Sequence, residues 1–359
     1  MHFLPIKWMI KKTLFISTFM EKLIIKLQDI NTWLDRVIDK VPRVIAPIKY
    51  GKKAEFGLIK NATDVDYDSQ TTISSTKAAA FPSTETLFAY SKNGPDTKLY
   101  DVAEENFVDT VIWRARPCDA AAFKPMTKIF NSDYQDELYN KRYEKITLIT
   151  FACNKADEFC FCTSVGGGPG STENSDAMVT VIDNEKALIE VFTEKGQQLV
   201  DLAKELFQKA DDRVDKDAVL AKIPQKFTKQ EIHDKIRHAF NSPVWKAQSE
   251  RCLGCGACAY VCPVCTCFDI QEDPHGNQGR RVRCWDSCGF QMYSQHTSGY
   301  NPRPNQAARW RQRILHKFLY MPDRLNIYGC TGCGRCSRAC PVDMNIVEHL
   351  TSIVNSIHE

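Results

Sequence analysis

Apolar positions recur at helical spacing through residues 21–41, where Leu23, Leu27, Ile30, Leu34, Val37, Ile38 and Val41 share one face. That period predicts an amphipathic helix ended by Pro42. Short alternating or continuous apolar runs follow at Phe56–Ile59, Thr110–Ala115, Lys145–Phe151 and Met178–Ile182, separated by Gly, Pro, Asn and Asp, and they predict strands. From Asn184 to about Ala210 the pattern turns helical, with Leu188, Val191, Phe192, Leu199, Leu202 and Leu206 as the apolar positions. Charged residues dominate from Asp211 to about Lys235 and predict a linker or a helical bridge. Strands mixed with helices predict an α/β or α+β domain over residues 20–245. After Ser249 long apolar runs cease and cysteine organises the chain, so residues 246–359 form a second, ferredoxin-like domain in this reading.

Length and composition sharpen that division. A chain of 359 residues, 43% hydrophobic and 25% charged, is long enough for two or three domains and is not a disordered or collagenous sequence. A formal net charge of +3 supplies no strong field for nucleic acid, and no window has the length of uncharged apolar sequence that a membrane span needs. Residues 1–19 read as an amphipathic leader or a misassigned start, with Met9 or Met20 as the true beginning. Lys11-Lys12 before an apolar run is signal-like, but no small-residue cleavage site follows. Sixteen cysteines in a chain expected to be cytoplasmic point to metal rather than to disulfides.

Cys252, Cys255, Cys258 and Cys262-Pro263 read C-x2-C-x2-C-x3-C-P, and Cys330, Cys333, Cys336 and Cys340-Pro341 repeat the run. In the bacterial ferredoxin pattern three cysteines hold one [4Fe–4S] cluster and the fourth ligates the other. Two-residue gaps let a tight loop wrap three thiolates around one cube, and proline directs the fourth away. The expected grouping is Cys252, Cys255, Cys258 and Cys340 for the first cluster, and Cys330, Cys333, Cys336 and Cys262 for the second. Zinc would need only four ligands and leaves the rest of each run unexplained. The C-x3-C-x2-C of Cys258, Cys262 and Cys265 matches radical enzymes by coincidence, since two of its members are already assigned.

Eight cysteines remain. Cys118 follows the strand Thr110–Ala115, with Asp119 placed to cap a helix, and Cys153, Cys160 and Cys162 follow the strand Lys145–Phe151. Strand ends that are neighbours in one sheet would bring these four to a third [4Fe–4S] cluster; the plain alternative is interior packing. The glycine run 166–170 lacks the Lys-Ser or Lys-Thr of a P-loop and more plausibly passes close to a cluster or a neighbouring subunit. Cys265, Cys267, Cys284 and Cys288 form a further metal site or merely sit near the first cluster; both readings stand. His233, His238, His316 and His349 build no competing site and read as solvated or packing residues. A helix from about Gln306 would set Arg309, Arg313 and Lys317 on a basic stripe, either solvated or offsetting the negative charge of a cluster.

From about Met20 onward the chain resembles the iron–sulfur β subunits of cytoplasmic sulfhydrogenases, grouped with the A subunits of anaerobic sulfite reductases. Phe81-Pro82 with Glu85, Arg116–Asp119, the Cys-Phe-Cys at 160–162 and residues 166–169 carry the resemblance, with 262–269, 285–288, 301–303 and the closing 329–343. Tyr300 stands where the resemblance predicts a histidine, and Cys284 is additional. The resemblance implies a non-catalytic electron-transfer subunit. It would relay electrons between a flavoprotein reacting with NAD(P)H and the small and large subunits of a nickel–iron hydrogenase, or alternatively a sirohaem sulfite reductase. No G-x-G-x-x-G fingerprint appears, so neither flavin nor nicotinamide is expected on this chain. Two other classes remain open: a catalytic iron–sulfur enzyme with an open-coordinated cluster, and a zinc-dependent nucleic-acid binder.

Overall fold

A computed structural model describes residues 21–211 and 213–356. The expected leader at 1–19 lies outside them. Twelve strands are present: β1 (Glu21–Lys26), β2 (Arg43–Tyr50), β3 (Lys53–Leu58), β4 (Thr84–Asn93), β5 (Asp96–Tyr100), β6 (Thr110–Ala115), β7 (Ile146–Phe151), β8 (Ala177–Val181), β9 (Lys186–Val191), β10 (Phe207–Lys209), β11 (Phe268–His275) and β12 (Gln278–Trp285). Eight of them form one sheet in the order β10-β1-β9-β8-β7-β6-β2-β3. Its centre, β2-β6-β7-β8, is parallel and its flanks are antiparallel. This is the α/β arrangement expected.

The period of two sorts the central strands onto two faces. Val111, Trp113, Ile149 and Val179 face a core shared with Trp33, Leu34 and Val37 of the helix Ile30–Lys40. Ile112 and Leu148 face the opposite core, with Phe123, Met126 and Tyr139 from the helices Phe123–Phe130 and Glu137–Glu144. Trp33 is wholly buried and its indole N–H donates to the Leu199 carbonyl at 2.8 Å. Each fully buried large apolar side chain contributes roughly 1.5–3 kcal/mol, so these layers clamp the parallel centre from which the cysteine-bearing loops leave.

Two expected helices are partly strand. Only Ile30–Lys40 is α-helical within 21–41; Glu21–Lys26 is β1, paired along its full length with β9. The apolar period of 21–41 satisfied both spacings, and pairing with β9 and β10 took the first six residues. Lys186–Val191 pairs with both β8 and β1, so its five buried residues serve a central strand and helix begins only at Glu194. Asp119 is the third residue of the helix Pro117–Ala121, not its cap, and its carboxylate accepts the Arg116 backbone N–H at 3.1 Å.

Structure crosses the boundary expected at residue 245 in two places. β11 and β12 continue β4 and β5 as a second, antiparallel sheet, β11-β12-β4-β5. Phe227, Ile232 and Ile236, from the charged stretch and the helix Lys229–Arg237, enter a helical core with Trp310, Ile314, Phe318 and Leu350. In that helix His233 is buried and bonded to Asp323 at 2.8 Å, a packing histidine. The second sheet is tied to the first layer by buried Arg283, which bonds Glu85 at 2.7 Å and also pairs with Asp136.

Candidate iron–sulfur centres

Both ferredoxin runs fold alike. Gly254 and Gly256 have φ of +69° and +73°, and Gly332 and Gly334 repeat this at +67° and +71°. A side chain is excluded twice over in the second loop: a Cβ on Gly332 would stand 2.5 Å from the Cys162 backbone, and one on Gly334 2.4 Å from the Phe159 carbonyl. Each loop then enters a short helix, Ala257–Tyr260 or Arg335–Arg338.

The two loops exchange their last cysteine. Cys252, Cys255, Cys258 and Cys340 line one cavity. Cys262, Cys330, Cys333 and Cys336 line a second, and Cys336 borders both. Hydrogen bonds reach the sulfurs from Gln306 to Cys252 at 2.8 Å and from the Met344 N–H to Cys340 at 3.2 Å. Lys317 reaches Cys262 at 3.4 Å. Burial pushes the Cys330 thiol up to about 11 and the Cys336 thiol to about 12. Cys262 runs the other way, lowered by the hydrogen bond from Cys265 and then by the charges of Lys317 and Arg313.

The basic stripe on the helix Gln306–Leu315 faces inward. A five-residue π-helical turn, His316–Tyr320, follows and carries Lys317 toward the cysteines. Arg313 and Lys317 are each 4% exposed. Arg313 borders both ferredoxin-loop cavities and donates to the Cys258 carbonyl at 2.9 Å. Burial opposes its charge, but the surrounding sulfurs of Cys258, Cys265, Cys336 and Cys262 outweigh it and hold the guanidinium protonated. Buried cations demand nearby negative charge, and a four-thiolate [4Fe–4S] group carries it. The donor sets and their cationic surroundings thus fit clusters.

Cys118, Cys153, Cys160 and Cys162 gather at the carboxyl ends of β6 and β7, which are parallel neighbours. Cys118 is raised by burial and then by the charges of Asp119, Cys333 and Cys153. Cys162 is pushed up to about 12 by burial, then by Cys153 and Cys160. The glycine run lies beside them, Gly166 to Gly168 lining a cavity with Cys118, Cys162 and Cys330. This group abuts the second ferredoxin loop, where the Phe161 N–H donates to the Gly332 carbonyl at 2.9 Å.

Sequence reasoning missed three cations here. Arg335, 1% exposed, pairs with wholly buried Asp119 and donates to the Thr72 carbonyl at 3.1 Å. Arg338 bonds Asp157 and reaches the Cys160 sulfur at 3.2 Å. Lys77 is buried and donates to the Ala259 and Cys265 carbonyls at 3.1 and 3.0 Å. The two arginines were visible as a break in the repeat, because the first run carries Ala257 and Tyr260 in their places. Lys77, far away in sequence, left no such mark.

Residues 251–344 match the 4Fe-4S dicluster domain family. The chain is 26% identical over 326 residues to the sulfhydrogenase 2 subunit beta of Pyrococcus furiosus, covering 88% of this chain and 93% of that protein. A chain of the F420-reducing [NiFe] hydrogenase complex of Methanosarcina barkeri overlaps 56% of this chain and 85% of its own length, at 6% identity and a TM-score of 0.34. Among the described residues no helix is long and apolar enough to cross a membrane. Two ferredoxin runs on an α/β layer thus lie in a chain that carries a 4Fe-4S dicluster domain and is similar to a sulfhydrogenase beta subunit along nearly its whole length.

Proposed function

We propose that this chain is an electron-transfer subunit that relays electrons between a flavoprotein reacting with NAD(P)H and the small and large subunits of a nickel–iron hydrogenase in the cytoplasm. The single observation that supports this reading is that the cysteines of the two ferredoxin runs line two adjoining cavities, with Cys118 and Cys162 on a third beside Cys330. Cys252, Cys255, Cys258 and Cys340 would hold the first cluster, Cys262, Cys330, Cys333 and Cys336 the second, and Cys118, Cys153, Cys160 and Cys162 a third. When bound, a [4Fe–4S] group supplies a one-electron couple whose potential depends on hydrogen bonds to sulfur, burial and local charge.

The chain's own residues set those conditions. Gln306 and the Met344 N–H donate to sulfurs of the first group, Lys317 to the second and Arg338 to the third. Arg313 stands between the first and second groups, and Arg335 joins the second to the third through Asp119. Four thiolates per group leave no ligand position for substrate, which favours relay over catalysis.

Anaerobically purified protein should carry at least about twelve iron and twelve sulfide per chain, from three groups of four. It should co-purify with hydrogenase subunits, and hydrogen-dependent reduction of NAD(P)+ by the complex should stop when this chain is removed. Retained activity without the chain would overturn the relay.

A further inference from the structure

Three of the four cysteines without a role converge. Cys265, Cys267 and Cys288 line one cavity beside Arg313, His316 and Lys317, and Cys288 also borders the cavity of the first cysteine group. Arg313 and Lys317 line this cavity and the one lined by Cys262, Cys330, Cys333 and Cys336 alike. The Asp286 N–H donates to the Cys267 carbonyl at 2.9 Å and fastens the strand-end loop bearing Cys288 against the loop bearing Cys267. Cys284 stays on β12 opposite Asp269 and Thr84 and does not line the cavity.

Charge gives the second observation. Arg313, Lys317 and Lys77 are 4%, 4% and 3% exposed. Their hydrogen bonds all go to backbone carbonyls or to cysteine sulfur. Arg313 places one guanidinium nitrogen 3.4 Å from the Cys265 sulfur, and its Nε has no partner at all. Three cations buried without a carboxylate call for anionic occupants. The first and second cysteine groups answer Arg313 and Lys317 on one side. Lys77 donates to the Cys265 carbonyl and stands 3.9 Å from the Trp285 ring centroid.

We infer that Cys265, Cys267 and Cys288, with the His316 imidazole as fourth donor, hold a further iron–sulfur cluster. Among the described residues no three Cys, His, Asp or Glu side chains are grouped tightly enough for one metal ion. The ferredoxin cysteines form no such group either, so the likeness of this cavity is to theirs. The inference extends the relay reading by one site, bordering the second group through Lys317. Three cysteines and a histidine differ chemically from the all-thiolate groups, and a histidine ligand raises a cluster's potential. This site is therefore the one placed to hold an electron longest.

The test compares the full-length wild-type chain with Cys267→Ser/Cys288→Ser, both purified anaerobically. Iron, sulfide and zinc are measured, and electron spin resonance is recorded on reduced samples. The variant is expected to lose about four iron and four sulfide of about sixteen each, while the resonances of the other groups persist. Because a double variant can fail to fold, the wild type supplies its own readout. Pulsed resonance should show nitrogen coupling to one reduced cluster, and His316→Cys should abolish that coupling while iron content holds. About twelve iron in both proteins, or one zinc lost in place of iron, overturns this inference and leaves the relay standing. An iron-free wild type overturns both.

Discussion

Replacing Asp119 by alanine tests whether the α/β layer and the ferredoxin loops are one energetic unit. Asp119 is fully buried, and its two oxygens meet Arg335, one at 3.0 Å in a hydrogen bond and one at 2.8 Å as an ion-pair contact outside hydrogen-bond alignment. Without the carboxylate the guanidinium keeps only Thr72, through its carbonyl and its hydroxyl at 3.1 and 3.0 Å. Breaking a buried pair on one side costs about 3–5 kcal/mol, because the remaining charge stays out of water. The Arg116 N–H also loses its acceptor, about 1 kcal/mol more. The two Thr72 bonds hold the total toward the lower bound, about 4 kcal/mol, a large share of the roughly 5–15 kcal/mol that stabilises a domain. Urea unfolding of the anaerobic holoprotein would measure it. Asp119→Ala/Arg335→Met should recover at least about 2 kcal/mol, since it removes the stranded charge as well. Iron retention should fall in the single variant, Cys118 and Cys336 being the neighbours of the broken pair. A single-variant effect below about 1 kcal/mol, or a double variant no better than the single one, would refute the reasoning.

Cys340→Ala should erase the resonance of the cluster held by Cys252, Cys255 and Cys258 and spare the one around Cys330; the reverse pattern would mean sequential ligation. Lys317→Met removes a positive charge 3.4 Å from the Cys262 sulfur. At an effective dielectric near 20 it should lower that cluster's potential by on the order of 100 mV, read by redox titration, and a shift under about 20 mV would contradict it. His349 is buried against Trp310 and lowered to about 4, chiefly by burial. Its folded state resists protonation while the unfolded chain accepts a proton below about pH 6.5. Stability is therefore unaffected above that pH and falls as pH drops from 6.5 toward 4, by about 2 kcal/mol on reaching pH 5. His349→Gln should flatten that segment of the thermal-midpoint profile, and an unchanged slope would exclude the histidine as its source.

The sequence alone determined the parts whose chemistry is local. A C-x2-C-x2-C run needs only its own backbone to curl three thiols around one cavity. The period of two in Thr110–Ala115 and Ile146–Phe151 needed no partner to be recognised, and both are strands. The repeated run also predicts a crossover, and Cys340 does line the first run's cavity and Cys262 the second's. Tertiary structure decided whatever depends on what comes next to what. Glu21–Lys26 and Lys186–Val191 carried apolar residues that fit two periods, and pairing with a neighbour on each side settled them as strands. Residues 211–235 read as a linker or a helical bridge because their charge is local, and only the fold shows that Phe227 and the helix Lys229–Arg237 are packed by Phe161 and by helices far later in the chain. Lys77, Arg313, Lys317 and Arg335 are ordinary surface residue types in a sequence. Only the fold carries them to 4% exposure or less beside cysteine sulfur and backbone carbonyls, where charge that water would have screened becomes the means of setting a potential.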